Sequence, residues 1–446
     1  MKPYSYISWL SGIYLIFFSC NFAIAQYEDI PTKWSMHTAI QFALDNNPDT
    51  RAAMERITAA EADLLAARAA FYPQLGVTVE YNRTNNPMYS FGNILNQGLF
   101  TNTIDFNDPG TTDAIQAKGV LQYRIYNGGR DAAAMDAAIN REQASVFDNE
   151  TVRLQLQANI VRAFCSIVQA EEVVTARQSA LEAISASLAV AQARFEEGSL
   201  LKEEVLNLEV QQARAEERLI HARHCLSLAQ RGFLRLLGLQ GAAVQLDAQG
   251  SPAQEIPANP DINRRPELQA MAAQIRMLEA MVRQAEGGHA PTADLFGSYQ
   301  VDRGAEFGDG SGNSWTTGIR LNYALFNGGR TGAEVERAKA LLREAREKRQ
   351  HLELACTLEM EQAVLALHQE EERLKVTAKM VTSARESARL SRLRFKEGLL
   401  LSSELIDTEN RLTDAQLSHS LATASRTIAI ADLRRAVGLP QFNHGK

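Results

Sequence analysis

Two stretches of the chain share one pattern, and that repeat limits the fold more than any other feature. Arg394, Phe395, Lys396, Glu397, Gly398, Leu399, Leu400 and Leu401 echo Arg194, Phe195, Glu196, Glu197, Gly198, Ser199, Leu200 and Leu201, 200 positions earlier. The same offset pairs Tyr123, Asn127, Gly128, Gly129 and Arg130 with Tyr323, Asn327, Gly328, Gly329 and Arg330, and Gly238, Leu239 with Gly438, Leu439. The register holds without a gap from Tyr123 to Leu239, so the molecule is two copies of one unit. Nearer the start of each copy, Asn46, Asn47, Pro48 and Pro73 precede Arg264, Arg265, Pro266 and Pro291 by 218 positions, so the first hairpin loop is longer by 18 residues.

Each copy reads in the same order. Met36 to Ala70 is a helix interrupted at Asn46, Asn47 and Pro48 and stopped by Pro73. Leu75, Val77, Val79 and Tyr81 then alternate with Gly76, Thr78, Glu80 and Asn82, a strand with one apolar and one polar face. Arg83 to Asp113, rich in Asn, Gly and Thr, reads as a loop without periodicity. A second strand places Gly119, Leu121, Tyr123 and Ile125 opposite Val120, Gln122, Arg124 and Tyr126. The other copy repeats both strands, with Leu295, Gly297, Tyr299 and Val301 in one apolar row and Ile319, Leu321, Tyr323 and Leu325 in the other. Strands of about nine to eleven residues match what a tilted strand needs to cross a bilayer.

No Pro or Gly occurs from Arg130 to Phe195, and from Arg330 to Phe395 only Gly332, so each segment reads as one helix. At 1.5 Å per residue such a helix is about 100 Å long. Beyond the first corner, Leu201, Val205, Leu208, Gln212, Ala215, Leu219, Ala222, Leu226, Ala229, Phe233 and Leu236 form a coiled-coil seam. Beyond the second, Leu405, Leu412, Ala415, Ala422 and Leu433 lie on a different face from Leu417, Leu421, Ala424, Ile428 and Ala431, which gives that helix two neighbours. Helix 266–286 stacked on helix 201–237, and the helix ending at Ala70 on the one ending at Val437, bring the shorter helices near the length of the long ones. Four strands cannot close a barrel, and open edges do not sit in lipid, so several chains must combine. Three chains supply twelve strands; two supply eight, too narrow for a channel.

The organisation expected is a leader at 1–25, a first repeat at 26–240, a linker at 241–263, a second repeat at 264–440 and a tail at 441–446. Lys2, the apolar run Ile7 to Phe18 and the Ala23, Ile24, Ala25 site read as an export signal, with Cys20 as an alternative lipid-attachment site that Phe17 disfavours. The formal charge is −7, and loss of Lys2 with the leader makes it −8, which argues against a nucleic-acid partner. Cys165, Cys225 and Cys356 have no metal spacing and read as small apolar residues. His221 and His224, three apart on a helix, read as part of a solvated face, and Gly308 to Gly312 lacks the Lys of a phosphate loop. No enzyme, cofactor or metal is expected.

On the two corners and the paired Tyr, Asn, Gly, Gly, Arg segments, the chain resembles the TolC family of outer-membrane efflux and secretion channels. The fold class implied is mainly α with a β-barrel part. Long coiled-coil helices form a periplasmic α-barrel, and four strands per chain contribute to a trimeric twelve-stranded barrel in outer-membrane lipid. The resemblance implies an exit channel of a tripartite efflux or type I secretion system, opened at its periplasmic tip by an adaptor (membrane fusion) protein and an inner-membrane pump. It places a ring of carboxylates six and nine positions after the second corner glycine, here Glu404 and Asp407, with Glu204 and Asn207 as their equivalents in the first repeat. Gly198, Leu200, Leu201, Gly398, Leu399, Leu400 and Leu401 are the corresponding tip contacts for the adaptor. The Tyr and Arg that close the family's tip are replaced by Phe395 and Leu400, so this mouth is expected either to be held shut by other contacts or to open more easily. The competing reading is a periplasmic coiled-coil scaffold or adaptor without a pore.

Overall fold

The structure is a computed structural model that describes residues 31–241, 244–247, 254–305 and 309–442. The expected export signal with Cys20, part of the linker and the last four residues of the tail lie outside them. In order, the elements are α1 (Met36–Asn46), α2 (Pro48–Arg68), β1 (Gln74–Thr84), α3 (Pro87–Asn96), β2 (Thr112–Tyr126), α4 (Arg130–Glu196) and α5 (Lys202–Leu237), followed by α6 (Pro266–Glu286), β3 (Thr292–Arg303), β4 (Ser311–Asn322), α7 (Arg330–Lys396) and α8 (Ser402–Ala436).

The local causes are readable. Ser35 starts α1 with a reciprocal capping box, its Oγ accepting from Thr38 N at 3.1 Å while Thr38 Oγ1 accepts from Ser35 N at 3.0 Å. Asn47 ends α1 and caps α2, where Pro48 occupies the first turn and so leaves no orphan N–H. The long helices α4 and α7 have 67 residues each. Each begins after a glycine at positive φ, Gly129 or Gly329, and stops before another, Gly198 or Gly398.

The stacking of the shorter helices corrects the sequence expectation. Gly238 ends α5 with φ 76°, and a Cβ there would stand 2.8 Å from the Asn46 carbonyl oxygen. Asn47 Nδ2 donates to Leu236 O at 2.8 Å across the same junction. Gly438 after α8 faces Arg264 O in the same way, at 2.7 Å. Thus α2 continues α5 and α6 continues α8, each within its own copy, rather than α6 on α5 and α2 on α8. Pro48 and Pro266 hold equivalent places in the two copies, so spacing could not choose between the two arrangements. Both place a helix N-terminus on a C-terminus, the favourable dipole order. The composite of α5 and α2 approaches the length of α4, about 85 Å of helix against about 100 Å.

Side by side, α5 with α2 packs on one flank of α4, α8 with α6 packs on the other, and α7 lies beyond α8 and α6. The buried faces agree with the seams. Val205, Leu208, Ala215, Leu219, Ala222 and Phe233 are buried on α5, although Leu201 is exposed and Gln211, not Gln212, points inward. On α8, Leu433 packs with Ala363 and Leu367 of α7, while Ala424 and Ala431 join Leu156, Ile160 and Phe164 of α4, so the helix does have two neighbours. That second cluster is the waist of the molecule, centred on fully buried Trp34. There residues 244–247 of the linker pair with the N-terminal arm: Trp34 N donates to Gln245 O, and Asp247 N to Trp34 O, each at 2.8 Å.

The four strands form one antiparallel sheet in the order β1-β2-β3-β4, with β1 and β4 as edges. They run 11, 15, 12 and 12 residues, so β1 lies within the expected nine to eleven and the other three exceed it. Tyr323 and Leu325 lie past the end of β4, because β3 starts at Thr292, just after Pro291, and offers them no partner. The stretch 83–113 is not a structureless loop. It holds the ten-residue helix α3, capped by Asn86 with Pro87 in its first turn, a helix too short for a periodicity reading among so many loop formers.

Candidate functional site

Two regions of the chain have surfaces that a soluble monomer does not explain. The first is the sheet. Its register aligns apolar side chains into rows: Leu75 beside Leu121, Val77 with Gly119, Tyr299 and Trp315, Val79 with Ala117 and Val301, and Tyr123 with Leu295 and Ile319. These side chains cover one whole face and face outward, with Val77 74 %, Trp315 72 % and Ile319 71 % exposed. The opposite face carries Thr78, Lys118, Gln300 and Ser314 in one row and Glu80, Gln116 and Asp302 in the next. Gln116 Nε2 donates to Asp302 Oδ1 at 2.8 Å, and Arg320 sits 5.0 Å over the Phe296 ring. A sheet with one dry face, one wet face and two open edges is a barrel segment. No helix among the described residues is long and apolar enough to cross a membrane.

At the far end of this sheet α3 folds over the polar face. Gln97 Nε2 donates to Asp113 O at 2.6 Å, Asn93 Nδ2 to Thr112 Oγ1 at 3.1 Å, and a Cβ on Gly312 would overlap the Asn96 carbonyl. A triplet of Phe91, Phe100 and Phe106 closes the loop on itself.

The second region is the tip, where the two hairpins α4–α5 and α7–α8 turn. Gly198 and Gly398 adopt φ 75° and 78°, and the next amide donates back to Arg194 O at 2.9 Å or Arg394 O at 2.8 Å. Beneath the turns, Leu188, Ala191, Val205, Leu208, Phe395 and Leu405 bring all four helices into one cluster. Leu200 and Leu400 pack against it, whereas Leu201, Leu399 and Leu401 are exposed. Polar contacts join the hairpins. Arg194 Nη1 donates to Phe395 O at 3.2 Å, a cation on the last carbonyls of α7. Glu204 accepts from Ser402 N at 2.9 Å and from Ser402 Oγ, capping α8, whose own cap residue Leu401 has no side-chain acceptor. Arg392 forks onto the nearly buried Glu409, with Nη2 to Oε2 at 2.7 Å, and this bond holds the guanidinium above its ordinary pKa.

The residues expected at a constriction are therefore not alike. Glu404 is exposed with no ion pair among the described residues, while Asp407 pairs with Arg411 four residues on at 2.7 Å. Glu204 is engaged with Ser402, and Asn207 is exposed. Reading the sequence missed the roles of Arg194, Ser402 and the Arg392–Glu409 fork. The signal available was that Lys202 and Ser402, at equivalent positions of the two corners, differ in chemistry, with a hydroxyl available only in the second.

Higher in the shaft, Glu359 of α7 binds Arg265 at the start of α6 and Arg435 at the end of α8, locking the second junction. Burial raises the Glu359 pKa, but the two guanidiniums outweigh it and hold the carboxyl below its usual range.

The model of the outer membrane efflux protein family matches residues 39–239 and 261–439. The chain belongs to the outer membrane efflux protein family. It is 28 % identical to outer membrane protein OprJ of Pseudomonas aeruginosa over 427 residues, covering 90 % of this chain and 83 % of that one. It is 24 % identical to the pyoverdine export outer membrane protein OpmQ of Pseudomonas putida over 429 residues, covering 90 % and 84 %. Among solved structures, the outer-membrane channel OprN superposes with a TM-score of 0.79 at 19 % identity over 90 % of this chain and 89 % of that one. The CmeC outer membrane channel of Campylobacter jejuni gives 0.78 at 16 % over 92 % and 87 %. The fold is that of these channels. This efflux protein resides in the outer membrane, with its sheet in lipid and its helices in the periplasm.

Proposed function

We propose that this efflux protein is the exit duct of a tripartite efflux or type I secretion system. It works as a homotrimer whose twelve strands close a barrel and whose helices close a tunnel. The observation that carries this is the sheet with a continuous apolar face and two unpaired edges, mounted on 67-residue helices. A single chain leaves those edges open, which lipid does not tolerate. A scaffold without a pore leaves the apolar face without a use. The duct is passive. Exposed Leu201, Leu399 and Leu401, around Gly198 and Gly398, dock the periplasmic adaptor that couples it to an inner-membrane pump, while Leu200 and Leu400 hold the hairpins beneath. Asp407 sets a cation-favouring charge at the mouth, where Glu404, Glu204 and Asn207 form the rest of the constriction.

The test is extraction from outer membranes in detergent, sizing, and single-channel recording. A trimer that conducts and prefers cations is expected, with that preference weakened by Asp407→Ala. A monomer that stays soluble without detergent would refute the duct, and unchanged selectivity would remove the acidic mouth.

A further inference from the structure

Several features of the tip occur twice in the chain, 200 positions apart, once satisfied and once not. Arg194 binds Phe395 O and covers Gly398, its Nη2 lying 2.7 Å from where a Cβ would stand. Its twin Arg394 is exposed with no side-chain hydrogen bond among the described residues, and nothing lies within 4 Å of the equivalent point on Gly198. Phe395 is 2 % exposed, Phe195 42 %. Glu204 caps α8 at Ser402, whereas its twin Glu404 and the Ser402 equivalent Lys202 are both exposed without partners among the described residues.

In every pair the satisfied member lies where the first copy meets the second. The unsatisfied members therefore lie on the outer edges: Arg394 and Glu404 on the far side of the second copy, and Phe195, Gly198 and Lys202 on the far side of the first. We infer that the rotation relating the two copies continues into a second chain. Glu404 then pairs with Lys202 of the partner subunit and caps its α5, and Arg394 donates to the carbonyl of the partner's Phe195. This rests on the homotrimer proposed above and names the contacts that close its mouth in place of the missing Tyr and Arg.

The two kinds of seam differ in chemistry. Within a chain the acceptor carboxylate meets a serine hydroxyl and an amide; between chains it meets an ammonium in a charge-assisted contact that salt screens. The mouth consequently loosens between subunits before it loosens within them. It also leaves Asp407, tempered by Arg411, as the carboxylate free to face the passage.

The experiment compares full-length Glu404→Lys, Lys202→Glu and the double reversal in single-channel recordings of purified protein. Each single reversal places like charges together and is expected to raise conductance about threefold, while the double restores it to within about twofold of the parent. Independently, Glu404→Cys with Lys202→Cys, in a Cys225→Ser background, should link chains on a non-reducing gel. Trimers in which the double reversal is no closer to the parent than the singles, or in which the cysteines stay unlinked, overturn the contact and leave the channel standing. A chain that does not trimerise at all overturns the channel reading, and this contact with it.

Discussion

Replacing Gly438 by Ala tests the junction on which the length of the tunnel wall depends. Any non-glycine residue at φ 73° is strained, at about 1–2 kcal/mol for an L side chain in the left-handed region. Reduced freedom of the unfolded chain returns about 0.4–1 kcal/mol. The new methyl also meets backbone alone: Arg264 O at 2.7 Å, Arg264 C at 2.9 Å and Arg265 Cα at 3.0 Å. Backbone cannot rotate away, so α6 must lift off α8, an overpacking cost of about 1–3 kcal/mol. The net is about 3 kcal/mol. Gly238→Ala, facing Asn46 O at 2.8 Å, should behave similarly. Gly129→Ala is the control, because φ is 78° but nothing lies within 4 Å, and it should lose about 1 kcal/mol from backbone strain alone. Denaturant unfolding in detergent, followed by helical circular dichroism, measures the three side by side. Equal losses at Gly438 and Gly129 would show that α6 does not sit on α8 and would return the stacking to the arrangement expected from sequence.

Two further outcomes follow from the structure. Because Glu359 has a lowered pKa in the fold, it contributes stability that is fully present above the ordinary Glu value of about 4.3 and is lost as pH falls below it. Glu359→Gln should therefore be less stable near neutrality and lose less on acidification, as read by unfolding midpoints across that range. Asp432, raised by burial and in smaller part by Glu359 despite Arg162, works in the opposite sense, and the variant relieves that part of its shift, which offsets some of the loss near neutrality. At the other end, Gly312→Val should unseat α3 from the polar face of the sheet, since its Cβ overlaps the Asn96 carbonyl. Single-channel conductance of the variant should rise; an unchanged value would place the narrowest point elsewhere.

The tip shows how far residue patterns carry. Gly198 and Gly398 announced both corners because few other residues accept that backbone, and the period of the apolar residues named the buried faces of α5 and α8. The same patterns passed over α3, whose ten residues are stabilised by capping and by a cluster of three Phe side chains. They also treated Glu204 and Glu404 as equals, though one is bonded to Ser402 and the other is unbonded within the chain.

Repetition, helix extent and strand amphipathicity are local properties. They arise from backbone sterics at glycine and proline and from the 3.6- and 2-residue periods, so the order of residues alone determined them. Which helix continues which, which carboxylate finds a donor, and which polar face is covered depend on contacts between segments distant in the chain. Pro48 and Pro266 offered similar ends, and the packing of α4 between α5 and α8, with Asn47 on Leu236 O and Arg265 on Glu359, decided where each would rest.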